Sequence, residues 1–427
     1  NYGTTNLTRL NVQSMVMRVI DLADGDVRAA FKTADFDFRQ FKRLRMYVHA
    51  ECLNEWEQDD YNKPGVMTLF IRIGSDFTQN YYEYEVPLEF TQWSDGTNPQ
   101  AIWPEANEVD IDLERLVQFK MERNIAMRDP NSSVSLSFPY VGYDGKNKVT
   151  VIGSPTISDV TSMMIGIRNP PANQSPEGDD RPRSAEIWVN ELRLTNFNKQ
   201  SGWATTARVA MNLADLGNLA VSGSYSSPWF SSIDKKITEI PLEGHQQFDI
   251  ATNLELGKFF PEKTGIRIPM HFDYSDARIT PKFNPLDPDL QLQEVIDSYS
   301  LQEQQDSLKE LTVDYTQRKN INFMNVRKDK VGAQTKARIW DIENFDASYS
   351  YSKIYHRNVD IQYDEEKNHM GSLGYNFNTN PKNVKPFEKI GFISRSKALQ
   401  LIRDFNFFFM PKMFSFRTDM NRMYNER

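Results

Sequence analysis

The stretch from Gln246 to Asp276 constrains the fold more than any other part of the chain. Phe248, Ile250, Thr252, Leu254 and Leu256 fall at alternate positions, with Gln247, Asp249, Ala251, Asn253 and Glu255 between them. After a turn from Phe260 to Gly265, Ile266, Ile268, Met270, Phe272 and Tyr274 alternate in the same way with Arg267, Pro269, His271, Asp273 and Ser275. Successive side chains of an extended chain point to opposite sides, so this two-residue period is strand geometry. Each arm holds the pattern for about ten residues, the length of a strand that crosses a bilayer at a tilt. The hairpin fits two folds, a transmembrane β-barrel or an antiparallel sheet packed on a soluble core, and periodicity leaves both open.

Arms of this kind recur after Trp203, at Thr205 to Leu213, Leu219 to Tyr225, Asn320 to Lys328, Phe345 to His356 and His369 to Asn378. A last pair is expected at Asp404 to Phe409 and Met413 to Tyr424, joined at Pro411, with Phe405, Phe407, Phe409, Phe414, Phe416 and Met420 on its outward face. That makes roughly nine arms, longer than the five or six residues usual in sandwiches. In lipid every backbone N–H and C=O must be paired, so membrane strands close into a barrel. About nine arms do not close neatly, and the reading is one arc of a larger barrel. Thr280 to Thr316 breaks the alternation with Pro281, Pro285 and Pro288, followed by a Gln- and Glu-rich surface helix, and is expected to be a long helical or loop insertion.

The first half reads differently. Short strands are predicted at Leu10 to Ile20, Leu44 to Ala50, Val66 to Ile73, Tyr81 to Phe90, Val134 to Phe138, Met163 to Ile167 and Ala185 to Leu194. One amphipathic helix is predicted from Asp112 to Glu122, with Leu113, Leu116, Val117 and Met121 on one face. Pro170 to Pro182 is the run richest in helix and strand breakers, and it reads as a loop within the domain. The predicted fold class is all-β, a jelly-roll-like β-sandwich over residues 1–198 followed by barrel strands over 199–427, with the insertion near 280–316.

Sandwiches of this kind include carbohydrate-binding modules, and Trp56, Trp93 and Trp103 are the candidate sugar-stacking platform. A structural, partly buried role for these tryptophans is the commoner one. Asp21, Asp24 and Asp26, or Asp35 and Asp37, offer oxygen ligands for calcium, but turn formation explains the same residues. No catalytic, cofactor or metal residue is assigned. Hydrolase elbows, zinc-binding HExxH helices, phosphate loops and dinucleotide fingerprints do not occur, so an enzyme is not expected.

The formal charge of −8 argues against a nucleic-acid partner. One cysteine, Cys52, excludes an internal disulfide, and the five histidines, His49, His245, His271, His356 and His369, are far apart in sequence. No apolar run is long enough for a transmembrane helix. The chain begins at Asn1 and stops within a strand-like run, which reads as a piece of a longer polypeptide.

The run from Phe248 to Lys263, with Ile266 to Pro269 and Asn284 to Asp289 downstream, resembles the SprA/Sov gliding-motility family of Bacteroidota, the giant outer-membrane translocon of the type IX secretion system. Ala185 to Thr195 and Phe416 to Arg422 resemble it too. The resemblance covers most of the chain. It implies a very large single-chain barrel in the cell outer membrane, with a lateral gate, that exports folded proteins. Implied partners are cargo proteins with a C-terminal secretion signal, a smaller lipid-binding outer-membrane barrel protein at the gate, a periplasmic plug protein and outer-membrane lipid. It implies no cofactor. The alternative is a soluble cell-surface carbohydrate-binding or adhesive β-protein.

Overall fold

The computed structural model describes residues 13–427 apart from 96–97, 174–178, 199, 237–238, 333–337, 380 and 392–399. The strands are β1 (Met15–Leu22), β2 (Val27–Phe36), β3 (Phe41–Cys52), β4 (Thr68–Gly74), β5 (Tyr81–Pro87), β6 (Val109–Asp112), β7 (Tyr140–Asp144), β8 (Asn147–Ile152), β9 (Val160–Arg168) and β10 (Arg183–Phe197). There follow β11 (Ala204–Asn212), β12 (Gly217–Ser226), β13 (Glu243–Glu255), β14 (Ile266–Arg267), β15 (Pro269–Pro281), β16 (Phe283–Asn284) and β17 (Asp287–Gln291). The last are β18 (Asp314–Lys328), β19 (Phe345–Arg357), β20 (Asp364–Asn378), β21 (Asn383–Val384), β22 (Phe407–Phe408) and β23 (Met413–Glu426). Helices α1 (Pro99–Ile102), α2 (Leu113–Ala126), α3 (Leu292–Asp297) and α4 (Gln302–Thr312) lie between them. The chain divides into two units, one of residues 1–201, 231–240 and 282–306, the other of 202–230, 241–281 and 307–427.

In the first unit, sheet β1-β10-β3-β6 faces sheet β2-β9-β4-β5-β8-β7. With the β7–β8 hairpin set aside, successive strands cross between the sheets, except at the β4–β5 hairpin, in the jelly-roll order. Alternation puts Leu44, Met46, Val48 and Ala50 of β3 opposite Leu69, Ile71 and Ile73 of β4 in one continuous core with Tyr82, Ile111, Val149 and Ile187. Helix α2 starts at Asp112, whose side chain accepts from the Glu114 N–H at 3.1 Å, and it buries Leu113, Leu116 and Phe119.

The same helix buries two cations, Lys120 and Arg123, where the sequence pattern placed Val117 and Met121. Their partners come from a distant segment. Lys120 Nζ pairs with Asp287 and, at 3.2 Å, with Asp289 Oδ2. Asp289 also accepts from the Tyr82 hydroxyl at 2.7 Å, Thr156 Oγ1 at 2.8 Å and the Ile157 N–H at 2.6 Å. Leu290, Leu292, Val295 and Ile296 are buried beside this cluster's segment, so much of the expected surface insertion is core of the first unit. Only α4 has the exposed character predicted for it.

Two predicted strands do not form. Val134 to Phe138 is irregular despite its alternation, and Pro139 follows it. The chain pairs just beyond, where Asp144-Gly145 turns β7 into β8 with Gly145 at φ 62°. Asp404 to Phe409 is not a partner of β23. Only Phe407 and Phe408 are extended, and they pair with Val384 and Asn383, while β23 pairs with β20. The Leu10 end of the first predicted strand lies outside the described residues.

The second unit is one antiparallel meander, β11-β12-β13-β15-β18-β19-β20-β23, with β14 attached to β18. Eight of its strands are long, up to 15 residues in β18 and β20, rather than the nine arms expected. Among the described residues only Trp229 and Phe377 are buried apolar side chains in this unit. Among the described residues the sheet carries no buried apolar core on either face.

Candidate functional site

The candidate surface is the pair of faces of this sheet. Strand pairing sets each side chain's side, and the register can be followed across the sheet. One face carries Val209, Met211, Leu219, Val221, Ile250, Leu254, Phe272 and Ile321. It continues with Phe323, Tyr349, Leu373, Tyr375, Phe416 and Met420. Phe416 is 65% and Met420 70% exposed. Of the residues expected to be wetted by lipid, Phe248 is exposed and Ile250, Leu254, Ile268 and Phe272 are half-buried, none of them enclosed.

The apolar zone runs diagonally. A line at right angles to the strands through Val209, Val221, Ile250 and Tyr274 continues into Lys319, Lys353 and Lys367. On β20 the apolar side chains of that face are Leu373, Tyr375 and Phe377, centred eight residues beyond Lys367. Eight residues at ~3.4 Å are ~27 Å along the strand, and the six steps from β11 to β20 at ~4.8 Å are ~29 Å, a slant of roughly 40°.

The opposite face is polar and hydrogen-bonded across strands. The Asn253 amide donates to Asn218 Oδ1 at 3.1 Å, His271 Nδ1 lies 2.7 Å from Asn253 Oδ1, His271 Nε2 lies 3.0 Å from Asp273, and Asn320 donates to Asp273 at 2.8 Å. Asp249 accepts from Gln247 at 3.0 Å. Glu255 accepts from the Ile268 N–H at 2.8 Å at the break between β14 and β15, and Arg267 pairs with Asp329. Asp249, Asn253, Glu255, Arg267 and Asp273, at the alternate polar positions of the two arms, thus all bond to near neighbours, four of them to other side chains.

The other candidates lie in the first unit. Trp56 is 81% exposed on the turn Glu55–Tyr61, and the Trp93 N–H donates to Gln58 of the same turn at 3.2 Å. Trp103 does not share that exposure, packing instead on Tyr47 and His49 with ring centroids 6.5 and 6.1 Å away. Asp21 interacts with Ser184, Asp24 accepts from the Ala172 N–H at 3.1 Å, Asp26 pairs with Arg28 and Asp37 with Arg39. These contacts tie turns. Among the described residues no three His, Cys, Asp or Glu side chains gather as a metal set.

Sequence reasoning missed a cleft of about 700 Å³ on the outer face of the β5 sheet. Its floor is a buried ion network in which Glu83 pairs with Arg72 at 2.6 Å and Arg168 at 2.9 Å, while Glu85 pairs with Arg168 and accepts from Thr68 at 2.6 Å. The signal was the alternation of Glu83 and Glu85 with Tyr82 and Tyr84, which turns the carboxylates to the sheet face opposite the core.

A jelly-roll sandwich joined to a long-stranded sheet with one apolar and one polar face defines a two-unit all-β protein. Residues 1–296 match the SprA_N family model, motility related/secretion protein, and the chain belongs to that family. No curated protein matches the sequence.

Proposed function

We propose that this chain is a wall segment, with an attached sandwich, of the protein-conducting outer-membrane translocon of the type IX secretion system, a passive pore for folded cargo that gliding motility also needs. The observation that carries this reading is the slanted apolar band on a sheet without a core. A soluble sheet of this size needs a covered face. Membrane strands tilt by about 35–45°, and such a tilt turns a band parallel to the bilayer into a diagonal across the strands. The polar face then lines water, and its side chains, already bonded to one another, hold passing cargo weakly. Diameter grows with strand number, so a lumen for folded proteins needs many more strands than these eight.

The partners that follow are cargo proteins with a C-terminal secretion signal, a smaller lipid-binding barrel protein at a lateral gate, a periplasmic plug protein and outer-membrane lipid. No step in this function is catalytic and none uses a cofactor. The test is reconstitution of the full-length protein in liposomes with graded solutes. Passage of solutes of folded-protein size is expected, and a pore no wider than a small-solute porin defeats the proposal.

A further inference from the structure

The apolar band does not stop at the end of β20. It leads into the excursion between β20 and β23, whose described parts, 381–391 and 400–412, are basic and expose apolar side chains. They hold Lys382, Lys385, Lys389, Arg403 and Lys412 against Glu388 and Asp404, five cations to two carboxylates in a chain of net charge −8. They also expose Ile390, Leu401, Ile402, Phe405, Phe409 and Met410, with Leu401 at 90% and Phe409 at 76%. The excursion is tied to the sheet at its neck, where the Thr379 N–H donates to the Lys412 carbonyl at 2.9 Å, and β21 pairs with β22 inside it. Lys412 Nζ sits 4.4 Å from the Phe408 ring centroid, so cation and aromatic are held side by side.

Interleaved aromatic and basic side chains, exposed together, match the boundary zone of a bilayer. Aromatic rings sit at headgroup depth, and Lys and Arg are drawn to anionic lipid. The slant gives the depth. Because the apolar zone reaches the very end of β20 and β23 at Phe377 and Phe414, the residues just past that end meet the edge of the hydrocarbon rather than bulk water. We infer that residues 381–391 and 400–412 form an interfacial anchor that inserts Leu401 and Phe409 among the headgroups of anionic phospholipid while Lys382, Lys385 and Lys389 neutralise their phosphates. This rests on the membrane reading of the sheet.

The experiment uses the full-length protein with its native cysteines, Cys52 among them, changed to Ser and one new cysteine, Leu401→Cys or Phe409→Cys, carrying an environment-sensitive dye. A Phe272→Cys variant reports on the sheet itself. Each is reconstituted in phosphatidylcholine vesicles with or without one-third phosphatidylglycerol, with nitroxide lipids as shallow or deep quenchers. The expected result is shallow quenching at both excursion sites, at least halved when phosphatidylglycerol is omitted or when Lys382, Lys385 and Lys389 are changed to Glu, and deep quenching at residue 272. Deep quenching at 272 with excursion dyes open to aqueous iodide overturns the anchor and leaves the barrel standing. Excursion dyes shielded from both iodide and lipid overturn it in favour of a protein cover. A dye at 272 that no lipid quenches removes the membrane reading itself.

Discussion

Asp289→Ala is the sharpest test of how the first unit holds together. The carboxylate is fully enclosed and accepts from Tyr82, Thr156 and the Ile157 N–H while facing Lys120, whose side chain is 2% exposed. Removing it leaves two buried donors, the Tyr82 hydroxyl and the Ile157 N–H, without an acceptor, at about 1–3 kcal/mol each. Lys120 keeps Asp287 and the Pro155 carbonyl at 2.7 Å, so the ammonium is not stranded and the charge contributes less than a full broken pair. The sum is on the order of 3–5 kcal/mol, the range for breaking a buried ionic contact. Hydrogen exchange of β5 and of residues 155–157 in the full-length protein reads it, and amides there are expected to exchange about 10² to 5 × 10³ times faster. Asp297→Ala, an exposed change on the same segment, is the control and is expected within about 0.5 kcal/mol of the parent. An Asp289→Ala effect under about tenfold refutes the assignment of this cluster as the segment's anchor.

Ile250→Arg on the apolar face is expected to cost about 2–4 kcal/mol of stability in lipid vesicles, while Ala251→Arg on the polar face changes little; equal effects in urea-titrated refolding argue against a lipid-facing side. Burial raises the Asp76 carboxyl pKa, but hydrogen bonds from the Gln79 N–H, the Asn80 side chain and the Thr78 and Asn80 N–H groups outweigh it and leave the pKa well below the ordinary 3.8. These bonds therefore stabilise the 76–80 turn above the unfolded pKa and weaken as pH falls through the folded value, and Asp76→Asn is expected to abolish that acid dependence in amide exchange of Thr78 to Asn80. A Cβ on Gly166 meets the Phe70 ring at 2.3 Å and Ala29 Cβ at 2.8 Å, so Gly166→Ala is expected to cost about 1–3 kcal/mol in thermal unfolding, with Phe70→Leu restoring part of it.

The long hairpins were legible because each side chain's environment depends only on its parity, and β13 and β15 keep parity from end to end. Where the reading went astray, alternation was present without a partner strand. Val134, Leu136 and Phe138 alternate with serines, yet Leu136 and Phe138 stay exposed and Pro139 cannot donate to a ladder. Phe405, Phe407 and Phe409 alternate too, but only Phe407 and Phe408 pair, and with Val384 and Asn383 rather than with β23. The buried cations of α2 were illegible for another reason. Lys120 sits at a core position of the helical face, and a lysine there looks solvated until a carboxylate 167 residues away in sequence is known to arrive. Leu290, Leu292, Val295 and Ile296 carried an apolar signal, but glutamines and carboxylates around them hid it.

The two units are stabilised in different ways, and the chain path links them. The first has a core and buried ions of its own, whereas the second has a paired backbone and, among its described residues, apolar side chains that are mostly exposed or half-buried. Yet the first unit cannot be completed from its own contiguous sequence, because Asp289, Leu290, Leu292, Val295 and Ile296 reach it only after β11, β12, β13 and β15 have been made. Without the segment, Lys120 lacks both carboxylates and Tyr82 lacks its acceptor, a state that costs several kcal/mol in a buried site. A chain ended at residue 201 is therefore expected to show weak protection around Lys120 and Tyr82, and one ended at 306 full protection there. Equal protection in the two would mean that the jelly roll closes without its insertion.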